Sequence, residues 1–436
     1  PDITLSALAG EGAAGGIAGR LSAADVDARF DFGRYIPFYP GVYNAKSGGA
    51  DIRVLGEGHG SDLYAGGIAG WLDNASIYHA ETKAGIYVSG AKTAYAGGIA
   101  GASEGYIISS FAQSPVEAEN NRAAAAGGVV GAASGGEIRY VRSLALANSP
   151  VAVRDTVTKS GLSPAVYAGG FSGRADDTAL ADVFAERDVW VADANPDGNL
   201  YAGGVAGMMG GKVGTSGTVR RAYALGHVDV EGVGLSLAGC FAGSVDRYDI
   251  EGAYAAVRVR SAGYDTRTGG FAGAAERGAA IRSAYAAAPE VVSTGAGQST
   301  RSYTGGFAGF NDGSLTKVYA DAALLEASAE KANAYIGRLV GYNFQFGVIN
   351  DSAYLQEGEA VGNNANAIDE VDAEQADRSD DYAAFAGWDF ELDSAFLAAK
   401  VNDGDFIVDT ASKLNLVVLL NNEDTGLALY RLFDRQ

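Results

Sequence analysis

The chain has 436 residues, with 53 acidic against 32 basic side chains and a formal net charge of −21. That balance disfavours a nucleic-acid surface, which needs clustered Lys and Arg to displace counterions, and it disfavours adsorption to anionic lipid. A single cysteine, Cys240, rules out an intramolecular disulfide and a cysteine metal cage, and the longest aliphatic run, Leu416–Leu420, falls far short of a membrane span.

Glycine, at 63 residues, is about twice its usual share, while 23 Tyr and 17 Phe supply material for a core that low-complexity disorder lacks. Much of this glycine falls in one pattern, Gly-Gly-apolar-small-Gly. It first appears as GGIAG from Gly15. An insertion rich in aromatics follows, RFDFGRYIPFYPGVYN, over Arg29–Asn44. The pattern resumes at Gly66, Gly97, Gly127, Gly169, Gly203, Gly269 and Gly305, with degenerate copies GCFAG at Gly239 and GRLVG at Gly337. Intervals between starts run from about 30 to about 50 residues, the signature of a solenoid, a propeller or an array.

One unit, from Tyr64, reads YAGGIAG, a turn through WLDNA, SIYHAE, a second turn, then GIYVSG. Each unit offers three short segments with period-two alternation, separated by Gly, Asp, Asn or Ser. Three strands and their corners take about 30 residues, one coil of a parallel β-helix, whereas a propeller blade needs about 40 or more. The apolar position of the motif is occupied by Ile17, Ile68, Ile99, Val129, Phe171, Val205, Phe241, Phe271, Phe307 and Leu339, which stacking makes an inward ladder. Alternation puts Tyr64 on the same inward face as Ile68 and turns Ala65, Gly67 and Ala69 outward as a flat stripe. A second aromatic row runs through Phe111, Phe184, Tyr223, Tyr254, Tyr285, Tyr319 and Tyr354. The glycines serve close backbone approach or a backbone angle that other residues cannot hold.

These residues resemble the GLUG repeat of bacterial surface and secreted proteins, including adhesin-like proteins and the non-catalytic parts of immunoglobulin A peptidases. GRLVGYN at Gly337–Asn343, followed by INDSAY at Ile349–Tyr354, is the most similar copy, and FAGWDF at Phe385–Phe390 resembles the element that closes such arrays. The resemblance covers about 15–364. It implies a β-solenoid in an extracytoplasmic setting, and it implies no substrate. Cys240 and Arg338 depart from it by replacing the second glycine.

Candidate chemistry is sparse. The carboxylates Asp176, Asp177, Asp182 and Glu186 follow turns and strand ends, as a solvated acidic surface does, rather than the inward constellation that a polysaccharide lyase or hydrolase requires. His59, His79 and His227 are scattered. The acidic stretch Asp369–Asp381 has oxygen ligands suited to calcium, but its spacing fits no known calcium loop and reads as a solvated connection; whether it binds metal stays open. In the insertion, Tyr35, Phe38, Tyr39 and Tyr43 are either a ligand-contacting surface or a flap over the first coil. Trp71 and Trp190 read as packing residues, and Trp388 as part of a closing plug.

The expectation is an all-β fold: a parallel β-solenoid of about ten coils over 1–364, capped by a closing region over 365–436 in which Leu414–Leu420 forms a strand or a helix. The expected function is a non-enzymatic structural or adhesive module, extracellular or on the cell surface, needing no cofactor. Its partners are copies of itself or a surface glycan or protein, with no nucleic acid and no direct membrane insertion. A carbohydrate-binding module and a polysaccharide-active β-helix enzyme are the alternatives.

Overall fold

The computed structural model describes residues 2–375, except for 8–9, 23–26, 32–33, 39–40, 58–59, 120, 146–148, 156–164, 215, 296–300, 330–332, 356 and 364–370. The chain is a right-through stack of β-coils, all parallel from coil to coil, with no helix among the described residues. A representative coil has four strands rather than three. Ile86–Ser89 belongs to sheet I, Thr93–Gly97 to sheet II, Ala100–Ser103 to sheet III and Tyr106–Ala112 to sheet IV. Sheets I and II each contain ten strands, sheet III eleven, and sheet IV thirteen including short pieces. Equivalent residues pair in register until the last coils of sheet IV: Tyr64 lies beside Tyr95, Gly66 beside Gly97 and then Gly127.

The extra strand arises at the repeated motif, which is a corner and not the middle of a strand. Its first glycine ends a sheet II strand, its last two residues open a sheet III strand, and the apolar residue sits at the bend. Hydrogen bonding continues through the bend, Ile68 N–H to Ile99 O at 2.9 Å and Phe241 N–H to Phe271 O at 2.8 Å. The corner is therefore as strictly stacked as the strands. Ile68, Ile99, Val129, Phe171, Val205, Phe241, Phe271, Phe307 and Leu339 are all fully buried there, and the Phe241, Phe271 and Phe307 rings stack at 4.4 and 4.7 Å. Ile17, on the first coil, is half exposed.

The bend overturns the expected placement of the neighbouring rows. Leu63 and Ala65 are fully buried in the core, so Tyr64 between them points to the outer face. Ala69 is also fully buried. There is no bare outward alanine stripe, because the corner interrupts the period-two alternation that would have carried Tyr64 and Ile68 to one side. The aromatic row of sheet IV also points away from the main core cluster, although its rings are buried: Tyr285 alternates with Ala284 and Ala286, both core residues. Tyr354 has slipped by one place, since Tyr319 pairs with Ala353 and Ala320 with Tyr354.

Candidate functional site

The corner is folded back on itself, so the outer faces of sheets II and III converge on a long cleft. Tyr64 of sheet II stacks on Trp71 of sheet III at 5.0 Å, and Tyr303 approaches Tyr342 at 4.8 Å. Along the axis Tyr64 stacks on Tyr95 at 4.7 Å and Tyr167 on Tyr201 at 5.0 Å. Rings stacked in this way cover one another's faces, so Tyr64 and Tyr303 are buried and Tyr95, Tyr167 and Tyr201 are partly buried.

Two arginines enter the cleft where the outward row lacks a partner ring. Arg174 lies 5.3 Å from the Tyr167 ring and pairs with Asp176 at 2.7 Å. Arg267, standing in the tyrosine position of its coil, lies 4.2 Å over Phe310 and pairs with Glu276 at 2.9 Å. Burial pushes the carboxyls of Asp176, Asp246, Asp265 and Glu276 above their ordinary values, and the adjacent guanidiniums oppose that rise. Chemically the cleft is an aromatic ladder edged by arginine-neutralised carboxylates.

The four carboxylates singled out in the sequence are distributed over two faces. Asp176 ends a sheet III strand, and Asp177 in the following turn accepts the Lys212 N–H at 3.0 Å. Asp182 and Glu186 lie on sheet IV. Asp182, itself buried, holds Arg221 through both oxygens at 2.6 and 2.7 Å. Glu186 holds Arg142 at 3.0 Å. Asp177, Asp182 and Glu186 are each engaged by an adjacent coil, which staples coil to coil, whereas Asp176 pairs with Arg174 of its own strand.

The insertion forms an antiparallel hairpin, Asp27–Asp31 with Arg34–Phe38, between the first strands of sheets III and IV. Tyr35 stands opposite Phe30, and Phe38 opposite Asp27. Tyr39 lies outside the described residues. Tyr43 has returned to the outer face of sheet IV, where it is exposed and stacked on Tyr78 at 5.0 Å with ring planes 3° apart. Trp388, the FAGWDF element and Leu414–Leu420 lie outside the described residues. Of the acidic stretch, only its portion within the strand Val371–Gln375 is described, paired with Val348–Tyr354. Among the described residues no group of three or more His, Cys, Asp or Glu is placed to hold a metal.

Trp71 and Trp190 lie on the outer face, partly buried, and neither belongs to the core. Trp71 is sandwiched between Tyr64 and the Arg20 guanidinium, the latter 4.3 Å from the ring. Trp190 alternates with the core residues Val189 and Val191. That alternation, VWV, was the signal in the sequence. Compared with known protein families, with curated proteins and with solved structures, the chain has no match.

Proposed function

We propose that this chain is a non-enzymatic structural or adhesive rod, displayed on or secreted from a microbial cell, and that it engages a surface glycan, a protein or further copies of itself through its long sides. The carrying observation is how the polar side chains are used. The carboxylates that a glycan-cleaving enzyme would set free in a groove are instead tied to arginines of the same or adjacent coils, Asp182 to Arg221, Glu186 to Arg142 and Glu276 to Arg267. A uniform stack with side faces tens of ångströms long suits display and avidity better than the enclosure of one substrate. The resemblance of GRLVGYN and the flanking repeats to GLUG arrays of surface proteins supports the same reading and the extracytoplasmic setting.

The test has two arms. Purified chain is incubated with a panel of plant and microbial polysaccharides and assayed for new reducing ends and for unsaturated products. In parallel it is coated on beads and scored for adhesion to mucin, matrix proteins and polysaccharide films, with electron microscopy of the free protein. Adhesion, or ordered fibres, without turnover is the expected result. Reproducible turnover that disappears in Asp176→Asn/Asp177→Asn would replace this reading with an enzymatic one.

A further inference from the structure

We propose that a hollow beside Trp190, on the outer face of sheet I, is a binding subsite for a neutral pyranose unit of a glycan chain; this rests on the adhesive reading and names its ligand class. In sheet I, Trp190 stands in register between Ala152 and Asp229 of adjacent coils, and Ala192 beside it is followed by Glu231 and Ala262. Small residues at Ala192, Gly232 and Ala262 leave a hollow of about 410 Å³, walled by Trp190, Arg154 and Val233. That volume is within the usual range for small-ligand sites, and too small for a folded partner.

The wall chemistry is what a sugar ring requires. A pyranose has an apolar C–H face and a rim of hydroxyls. The apolar side is met by the half-buried indole and by Val233, whose side chain is 44% exposed. An exposed valine beside an outward tryptophan has no role in the core, which both residues face away from. For the hydroxyl rim, the Arg154 guanidinium lies 4.7 Å from the indole centroid, and Glu119 of the preceding coil holds it at 3.3 Å. Both partners of this pair are exposed, so the guanidinium keeps N–H groups free to donate beside the ring. Glu231 is exposed and makes no salt bridge among the described residues, so its carboxylate is available to accept from sugar hydroxyls. That carboxylate, within a chain of net charge −21, selects against uronic acids, sulfated glycans and phosphates. The hollow lies open along the solenoid side, so it admits an internal unit of a chain as well as an end.

The test is affinity electrophoresis of the full chain through gels carrying hydroxyethyl cellulose, laminarin, xylan, galactomannan or amylose. Retardation by at least one of these is expected. Trp190→Ala should abolish it, and Glu231→Gln should weaken the apparent affinity about tenfold, the worth of one hydrogen bond to a charged group. Ala262→Arg, which puts a long side chain into the hollow while leaving the tryptophan in the sequence, should abolish it too. Glu326→Gln, on the same face outside the hollow, should leave it intact. Circular dichroism melts check that each variant is folded. Should Trp190→Ala melt early, Ala262→Arg alone decides. Unchanged retardation in Ala262→Arg, or no retardation by any of the five polymers, overturns the proposal. If bead adhesion persists while retardation is absent, the subsite fails and the adhesive reading stands; if neither occurs, both fail.

Discussion

A methyl group added at Gly101 would lie 2.6 Å from the Gly70 carbonyl oxygen and 2.7 Å from the Ala65 nitrogen, closer than real Cβ contacts come. On Gly97 it would lie 2.0 Å from Ala100 O, and on Gly98 2.1 Å from Gly128 O and 2.9 Å from the Ala112 Cβ. The motif is therefore glycine because three pieces of backbone meet at one corner, and none of these three residues needs a left-handed angle. Neither obstacle at Gly101 is a flexible side-chain tip that moves aside cheaply. Gly101→Ala should cost about 1–3 kcal/mol, the usual range for overpacking, with Gly48→Ala as the neutral control because nothing lies within 4 Å of its added carbon. Urea denaturation of the two variants against the parent measures the difference. Equal midpoints would show that the corner relaxes. In one coil the second position nevertheless holds Cys240, fully buried with its Sγ 2.9 Å from Val257 O, and burial pushes that thiol well above its ordinary value.

Along sheet IV the chain kinks at one residue in successive coils, always at the same level. Asn44, His79, Ser109, Tyr140, Asp182, Arg221, Ser283, Lys317 and Asp351 all take φ between 46° and 56°, with Gly252 at 70° in its coil. The pairing skips this residue, Ile108 beside Arg139 and Ser110 beside Val141, so the column is a stacked bulge. A left-handed angle costs a non-glycine residue about 1–2 kcal/mol, and glycine returns part of that gain as entropy of the unfolded chain. Lys317→Gly should therefore be neutral or stabilising by up to about 1 kcal/mol. A thermal melt that falls instead would show that the Lys317 side chain holds the kink. None of this column is legible in the sequence, since its members share no residue type and only Gly252 hints at the angle. The repeat, the all-β character and the parallel stacking are legible, because motif spacing and strand length alone require them. The fourth strand is not: a corner whose hydrogen bonds continue from coil to coil reads like an unbroken strand. That same misreading hid the Tyr64 face, and with it the cleft where Arg174 and Arg267 meet their carboxylates.

On the scale of the whole molecule, parallel sheets of ten or more strands at strand spacing give a stack on the order of 45 Å long, with a large excess of acid to accommodate. The cleft carboxylates Asp176, Asp246, Asp265 and Glu276 have values raised mainly by burial. Between their ordinary value, about 4, and the raised one, the folded chain binds more protons than the unfolded chain, so stability falls as pH rises through that window. Glu81, held by Lys46 and Lys83, and Glu290, held by Arg260, are displaced downward. Their contribution is present above the ordinary value and is lost as pH falls below it. Relief of general repulsion acts in the same direction as the cleft groups on mild acidification. The melting temperature should accordingly rise as pH is lowered from about 7 toward about 5, then fall below about 4 as the Lys- and Arg-held carboxylates are protonated. Replacing Asp176 and Glu276 together with Asn and Gln should flatten the rising limb and leave the acid limb in place. A double variant that keeps the full rise would assign it to net charge alone, and a monotonic loss of stability from neutral pH downward would mean that the cleft carboxylates are not held in the strained, desolvated state their burial implies.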